Sequence, residues 1–485
     1  MDDLCYLTAT EALRLFRSRS LSPVELMEAV LARAEAVEPR VNAFCVTYYD
    51  RALAEAKKAE QAYMGRGAAP GPLTGIPVAI KEEMPIAGES WQLGSLAHKD
   101  DIADETAIVA GRIFAAGGIV HARTTTPEFS CAGFTHSRLW GVTRNPWNLE
   151  FAVGGSSGGS GAALASGTAT LATGSDIGGS IRIPAAFNGV VGFKPPYGRV
   201  PEDPPFNLDD YCHEGPMART VADCALFENV MAGPDPRDLV CVAPKLEIPE
   251  ELEGIAGMRV ALVAQPGDWP IDEDVLGNTL AAAEVFREAG ALVEEAELAV
   301  TMDELERTAS IHYGVLFGAE ILAEAEAHGE LLTPYAIRFA EEAQAALRDT
   351  SFAEGLVMES RIAGKIGAIL ADHELLLMPT MAARGLVAGD DYVGHGITVG
   401  GRELARDFGA FLTPFFNVAS RCPVLNVPSG FADNGVPSGV QIVGRPYEDV
   451  SVFRAGAAYE RLRPWLDVPE RRPLQDMATL NGTPA

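Results

Sequence analysis

Glycine, serine and lysine are the residues of this chain whose types and spacing could do chemistry. Gly154-Gly155-Ser156-Ser157-Gly158-Gly159-Ser160-Gly161 runs into the small apolar stretch Ala162-Ala163-Leu164-Ala165. An isolated Gly/Ser octet reads as a flexible linker. This one follows Val153 and enters a buried helix start, whereas linkers join polar, exposed segments. In that setting the loop supplies backbone N–H groups to an anion, either a phosphate or a developing oxyanion. A second tight segment, Asp176-Ile177-Gly178-Gly179-Ser180-Ile181-Arg182, lies shortly after it. Its bland reading is a turn whose Ser caps a helix. Its chemical reading is a nest of consecutive N–H groups at Ile177, Gly178, Gly179 and Ser180. Lys81 ends the apolar run Ile76-Pro77-Val78-Ala79-Ile80. Burial there would lower its pKa towards that of a usable base.

A serine nucleophile needs a base. Gly154-Gly155-Ser156-Ser157-Gly158 fits the Gly-x-Ser-x-Gly elbow of Ser-His-Asp esterases, with Ser156 as nucleophile. That elbow wants a strand directly before it, and Arg144-Asn145-Pro146-Trp147-Asn148 is loop-like. None of the eight histidines stands in a recognisable triad context. The other route relays a neutral lysine through a second serine, and Lys81, Ser156 and Ser180 provide those parts. A phosphate-binding module is remote, because no Gly-x-x-x-x-Gly-Lys-Ser/Thr motif is present.

The elements that must position these residues read as alternating helices and strands. Thr8 with Glu11, and Ser22 with Glu25, have capping-box spacing. The helix after Ser22 is expected to stop at Pro39, and another to cover about 43–63. Strands are expected at 76–80, 119–122, 258–263, 291–295, 374–378 and 439–443, with helices at 104–116 and 272–289. Residues from about 303 to 372 read as acidic, Ala-rich helices. The pattern predicts an α/β fold: one large domain, built on a mixed, mostly parallel twisted sheet covered by helices on both faces. Residues 1–70 would form an N-terminal helical segment packed on a 71–470 core, with a helical excursion at about 300–372 and a loose tail at 471–485.

Composition sets the surroundings. The 485 residues are 47% apolar and 22% charged, as in an ordinary globular protein. Lys plus Arg is 38 against 67 Asp plus Glu, a net charge of −29. Such a body repels phosphate backbones and anionic lipid, so neither nucleic acid nor membrane is expected as a partner. Seven scattered cysteines without Cys-x-x-Cys spacing fit a reducing compartment and no thiolate metal site. The acidic start Met1-Asp2-Asp3 lacks the basic region of a signal peptide, and a cytoplasmic location is expected.

The long motif is specific. Gly154 to Gly161, Gly174-Ser175-Asp176-Ile177-Gly178-Gly179-Ser180-Ile181-Arg182-Ile183-Pro184-Ala185-Ala186-Phe187 and Gly189-Val190-Val191-Gly192-Phe193-Lys194-Pro195 resemble the amidase signature family. Gly75 to Lys81, Thr143 to Asn148, Gly215 to Asp223 and Gly439 to Pro446 agree in order, so the likeness spans about residues 70–450. The resemblance implies an α/β amide hydrolase with a Ser-Ser-Lys triad: Lys81 as base, Ser156 as bridging serine after a cis peptide, and Ser180 as nucleophile. It matches the N–H groups of Ile177, Gly178, Gly179 and Ser180 to an oxyanion hole, and Glu128 to Gly133, with Ser130 and Cys131, to a substrate-lining region. It requires no metal or cofactor. Glu82, Ser175, Asn188 and Pro196 stand where Asp, Thr, Cys and Thr are common in the family, which bears on the substrate and not on the triad. The expected substrate is an aryl or otherwise hydrophobic amide, with a carbamate as a further option. The alternative within the family is a glutamine-hydrolysing component of a tRNA-dependent amidotransferase. Oligomeric state, a homodimer included, is open.

Overall fold

A computed structural model describes residues 2–474, so the expected tail lies outside the described residues from 475 onward. Its centre is an eleven-stranded sheet. In chain order the strands are β1 Phe44–Thr47, β2 Pro77–Lys81, β3 Ile119–Thr124, β4 Leu171–Ser175, β5 Val191–Lys194, β6 Glu214–Ala218, β7 Arg259–Leu262, β8 Leu292–Glu295, β9 Leu375–Pro379, β10 Val424–Phe431 and β11 Pro437–Gly444. Across the sheet they lie in the order β1-β3-β2-β4-β6-β5-β10-β11-β9-β7-β8.

Side-chain alternation parts the two largest apolar clusters across the sheet. Leu375 and Leu377 join one apolar cluster while Leu376 and Met378 join the other, and Val260 and Leu262 part from Ala261 and Val263 in the same way. The first cluster is closed by helices that include Ala9–Ser18, Val221–Met231 and Asp449–Leu462. The second is roofed by Met302–Val315, Phe317–His328, Pro334–Ala346 and Phe352–Asp372, the stretch expected to be Ala-rich and helical. No described helix is long and apolar enough to cross a membrane.

The sheet is mixed, as expected, but parallel pairing is confined to its flanks. β3, β2 and β4 run parallel on one side, and β9, β7 and β8 on the other. Between them every neighbouring pair is antiparallel, because β10 and β11 form a hairpin and β6 and β5 enter beside it in opposite senses.

Three local expectations are corrected. The helix that begins at Pro23, with the Ser22/Glu25 capping box formed, passes Pro39 and ends at Val41. A proline so near the end forfeits one helical bond, and Asn42 closes the turn in the left-handed region, its N–H donating to Glu38 O at 2.9 Å. The helix expected from 43 starts only at Tyr49, because Phe44–Thr47 pairs antiparallel with β3. The helix expected at 104–116 spans Ile108–Ala115.

The parallel flank positions the site. β2 and β4 are parallel neighbours, so their carboxyl ends deliver Lys81 and Ser175 to one rim, where open α/β sheets bind ligands. The helix Gly158–Ser166 packs below, every residue buried. A Cβ on Gly159 would stand 2.5 Å from Thr125 N and Ala43 O, so glycine is what permits this approach. Ser160 Oγ then ties the helix to Thr124 Oγ1 and Thr173 O, each at 2.8 Å.

Candidate active site

Lys81 is fully buried. Its ammonium nitrogen lies 2.6 Å from Ser156 Oγ, 2.8 Å from Ser175 Oγ and 2.9 Å from Glu83 Oε1. Burial pulls the lysine pKa down, and the neighbouring Glu83, Glu214 and Asp176 carboxylates pull it back up. Sequence reasoning misses Ser175 and Glu83 as site residues, because nothing but their place beside Lys81 in space marks them. Glu82 points away and accepts from Gln92 N at 2.6 Å and Leu93 N at 3.0 Å, fixing the next loop.

Ser156 follows a cis peptide from Gly155. Its hydroxyl takes the Lys81 donor rather than a histidine. His213, which lines the cavity beside Ser156, has its nitrogens turned to Lys194, Tyr211 O and Ser420 O. Among the described residues no histidine hydrogen-bonds Ser156 Oγ, whose recorded partner is Lys81, so the Ser-His-Asp arrangement on Ser156 lacks its base contact.

The 176–180 segment is held by its carbonyls. Ile177 O accepts from Tyr313 Oη at 3.3 Å, Gly178 O from Thr413 Oγ1 at 2.6 Å, Gly179 O from Ile183 N at 2.7 Å and Ser180 O from Ser157 N at 3.1 Å. No protein acceptor among the described residues takes the N–H of Ile177, Gly178, Gly179 or Ser180. The expected nest thus has its carbonyls tied off and its four donors unspent. Asp176 and Arg182 anchor both ends from inside the protein, both fully buried. Arg182 meets the two Asp176 oxygens at 2.9 and 2.8 Å and donates to Thr413 O, Gln441 Oε1 and Asn417 Oδ1. Burial alone would raise the Asp176 pKa, but the Arg182 guanidinium holds it well below the carboxylate range.

Two cavities meet here. The smaller, about 140 Å³, is lined by Ser180, Gly178, Cys131 and a ring of aromatics from the helical roof, Tyr313, Phe317, Tyr335 and Phe339. Its charged groups are paired among themselves: Arg406 with Glu306 at 2.8 Å and Arg338 with Asp407 at 3.1 Å. The larger, about 570 Å³, is lined by Ser156, Ser175, Trp91, Phe206 and several carboxylates. Ser130 lines both. Its hydroxyl donates to Glu83, and its backbone, like that of Phe129, is left-handed, with φ values of 57° and 52°. Cys131 lines only the smaller cavity, and burial pushes its thiol pKa well above the usual value, which disfavours the thiolate.

A family model described as "Amidase" matches residues 25–453. An acylamidase of Rhodococcus erythropolis is 34% identical over 474 residues, covering 96% of this chain and 97% of that protein. A glutamyl-tRNA(Gln) amidotransferase subunit of Carboxydothermus hydrogenoformans is 31% identical, covering 95% and 98%. Among solved structures, a bacterial aryl acylamidase of the amidase signature family superposes with a TM-score of 0.87 at 29% identity, covering 99% of each chain. A 6-aminohexanoate cyclic dimer hydrolase with substrate follows at 0.81 and 29%, covering 97% and 99%.

Proposed function

The chain belongs to the amidase signature family, and from that membership and the site geometry we propose that it hydrolyses the C–N bond of a linear aryl or otherwise hydrophobic amide, with carbamates as further substrates, through Ser180, Ser156 and Lys81. The contact that carries this reading is the 2.6 Å approach of a fully buried lysine amine to Ser156 Oγ. Ser180 Oγ attacks the carbonyl carbon, its proton passing to Ser156 as Ser156 yields its own to Lys81. The carbonyl oxygen, now an oxyanion, is met by the free N–H groups of the 177–180 segment. Collapse breaks the C–N bond while Ser156 gives a proton to the nitrogen and takes one back from Lys81, which an amide requires because an unprotonated amine leaves poorly. Water then cleaves the ester on Ser180 by the same relay in reverse. The aromatic ring of the smaller cavity, on the Ser180 side, suits a hydrophobic or aryl acyl group.

Replacing Ser180 by alanine should abolish hydrolysis of an anilide, and a sulfonyl fluoride should label Ser180 in the unaltered protein. Retained turnover, or label on Ser156, would overturn the assignment. The likeness to glutamyl-tRNA(Gln) amidotransferases supports glutamine as a second reading. Against it, Arg338 and Arg406 are already paired, with Asp407 and Glu306, and would have to be freed to receive an α-carboxylate. Preference for glutamine over anilides by the purified chain would favour that reading.

A further inference from the structure

The larger cavity has a composition that hydrolysis of a neutral amide does not call for. Seven carboxyl groups line it (Glu83, Asp176, Glu202, Asp203, Glu214, Glu320 and Glu324) and no Lys or Arg does. Two of the seven are answered from outside the lining, Glu83 by Lys81 and Asp176 by Arg182. Glu214 is 8% exposed, and its Oε2 has no hydrogen-bond partner. A buried carboxylate oxygen left unpaired is costly unless something charged or donating completes it. The histidine beside it does not, because burial and Lys194 lower the His213 pKa to about 3 and leave it neutral. Trp91, Phe129, Phe206 and Phe317 supply aromatic walls, the other surface that attracts an organic cation.

We propose that this cavity is a subsite for a positively charged organic group on the amine half of the substrate, such as the free ammonium of an amide made from a diamine. The placement rests on the hydrolytic reading above. Ser180 lines the smaller cavity and Ser156 the larger. Ser156 hands the proton to the departing nitrogen, so the amine half must extend to its side and the acyl half to the other. Burial raises the proton affinity of both Glu202 and Glu214, with Glu214 adding to it at Glu202, and Glu83 and Asp203 adding to it at Glu214. An arriving cation favours their ionised forms and sets attraction against the burial and like charge that raise them.

The test uses two ligands of one shape. N-benzoylcadaverine carries a terminal ammonium, and N-hexylbenzamide has a methyl group in its place. Binding of each to the full-length Ser180→Ala protein is measured by calorimetry. The cationic amide should bind about tenfold tighter, the order of one shielded cation–π or carboxylate contact. Glu214→Gln and Glu202→Gln, checked for an unchanged melting temperature, should each shrink that ratio, and together bring it to about parity. Equal or tighter binding of the neutral amide, or no binding of the cationic one at millimolar concentration, overturns the proposal without recourse to any cavity variant. So does a ratio that survives in the double variant. Failure of the hydrolytic reading shows separately, as benzoate released by the Ser180→Ala protein.

Discussion

Lys81 lies among three oxygens that pull its charge in different directions. The hydroxyls of Ser156 and Ser175 can pair with it in either protonation state, as acceptors from the ammonium or, for Ser156, as a donor to the neutral amine, but the Glu83 carboxylate at 2.9 Å favours the ammonium, which cannot act as a base. Full burial opposes Glu83, and the net displacement of the lysine pKa is downward. A base active when neutral gives a rate that rises with pH through its pKa. The acid limb of kcat/KM should therefore lie below the ordinary lysine range. Glu83→Gln removes the largest opposing charge and keeps the side chain's shape. It should move that limb to still lower pH, as read in a pH–rate profile on an anilide. A limb that stays in place would mean that Glu83 does not set the charge of Lys81. The same variant should leave Ser130 with an amide acceptor in place of a carboxylate, so its effect on KM can be read in the same assay.

At the scale of elements, the 176–180 segment is ordered by donors that come from far along the chain. Thr413 Oγ1 holds the Gly178 carbonyl, and with it the peptide plane whose N–H belongs to Gly179. Thr413→Val keeps the volume and removes the donor. Its kcat should fall towards the ~10²–10³-fold loss of a missing oxyanion donor, with KM little changed. Full activity in that variant would show that the plane is fixed by packing alone. Gly179 has φ near 131°, and a Cβ there would fall within the Thr413 side chain, so Gly179→Ala should be inactive yet folded. These anchors also mark the limit of what is legible in the sequence. The capping box at Ser22, the strands near 76–81, 119–124 and 375–379, and the approach of Lys81 to Ser156 can be read from local pattern and motif. The central strand Leu171–Ser175 cannot, because its Ala, Gly and Thr residues carry no apolar alternation and suit instead the close approach of the Gly158–Ser166 helix. β1 is hidden for another reason: four residues beside an Ala-rich helical pattern become a strand only through pairing with Ile119–Thr124. Ser175, Glu83, Tyr313 and Thr413 enter the site by contacts that no spacing reveals.

For the whole molecule, the buried titratable groups set how stability depends on pH. Burial raises the carboxyl pKa of Glu38 and Glu82 to about 7 and of Glu460 to about 8. Unfolded, these groups ionise near their ordinary values, so above that range the unfolded chain binds fewer protons than the folded one and stability falls as pH rises. His312 acts in the same sense. Burial alone would lower its pKa, but Asp209 and Glu359 raise it to about 9, so its stabilisation is complete below its ordinary value and is lost as pH climbs through 9. Asp176 works oppositely in acid, where protonation would break its pair with Arg182, as do His121 and His213, lowered by burial to about 4 and about 3. Lys194, lowered by burial to about 7, opposes Glu38, Glu82, Glu460 and His312 above neutrality. The melting temperature should therefore be higher in mildly acidic than in mildly alkaline buffer. A scanning calorimetry series showing the reverse would contradict this account. The anchoring of the 176–180 carbonyls has a further consequence, in time rather than in space. A ribosome has delivered Lys81, Ser156 and Ser180 before half the polypeptide exists, but the hydroxyl that orients Gly178 arrives with Thr413, late in synthesis. On the proposed mechanism, a chain ended before Thr413 would carry every reacting group but lack the hydroxyl that orients the Gly178 carbonyl. On that mechanism, competence to cut would be acquired near the end of translation, and chains truncated before Thr413 are expected to be inactive.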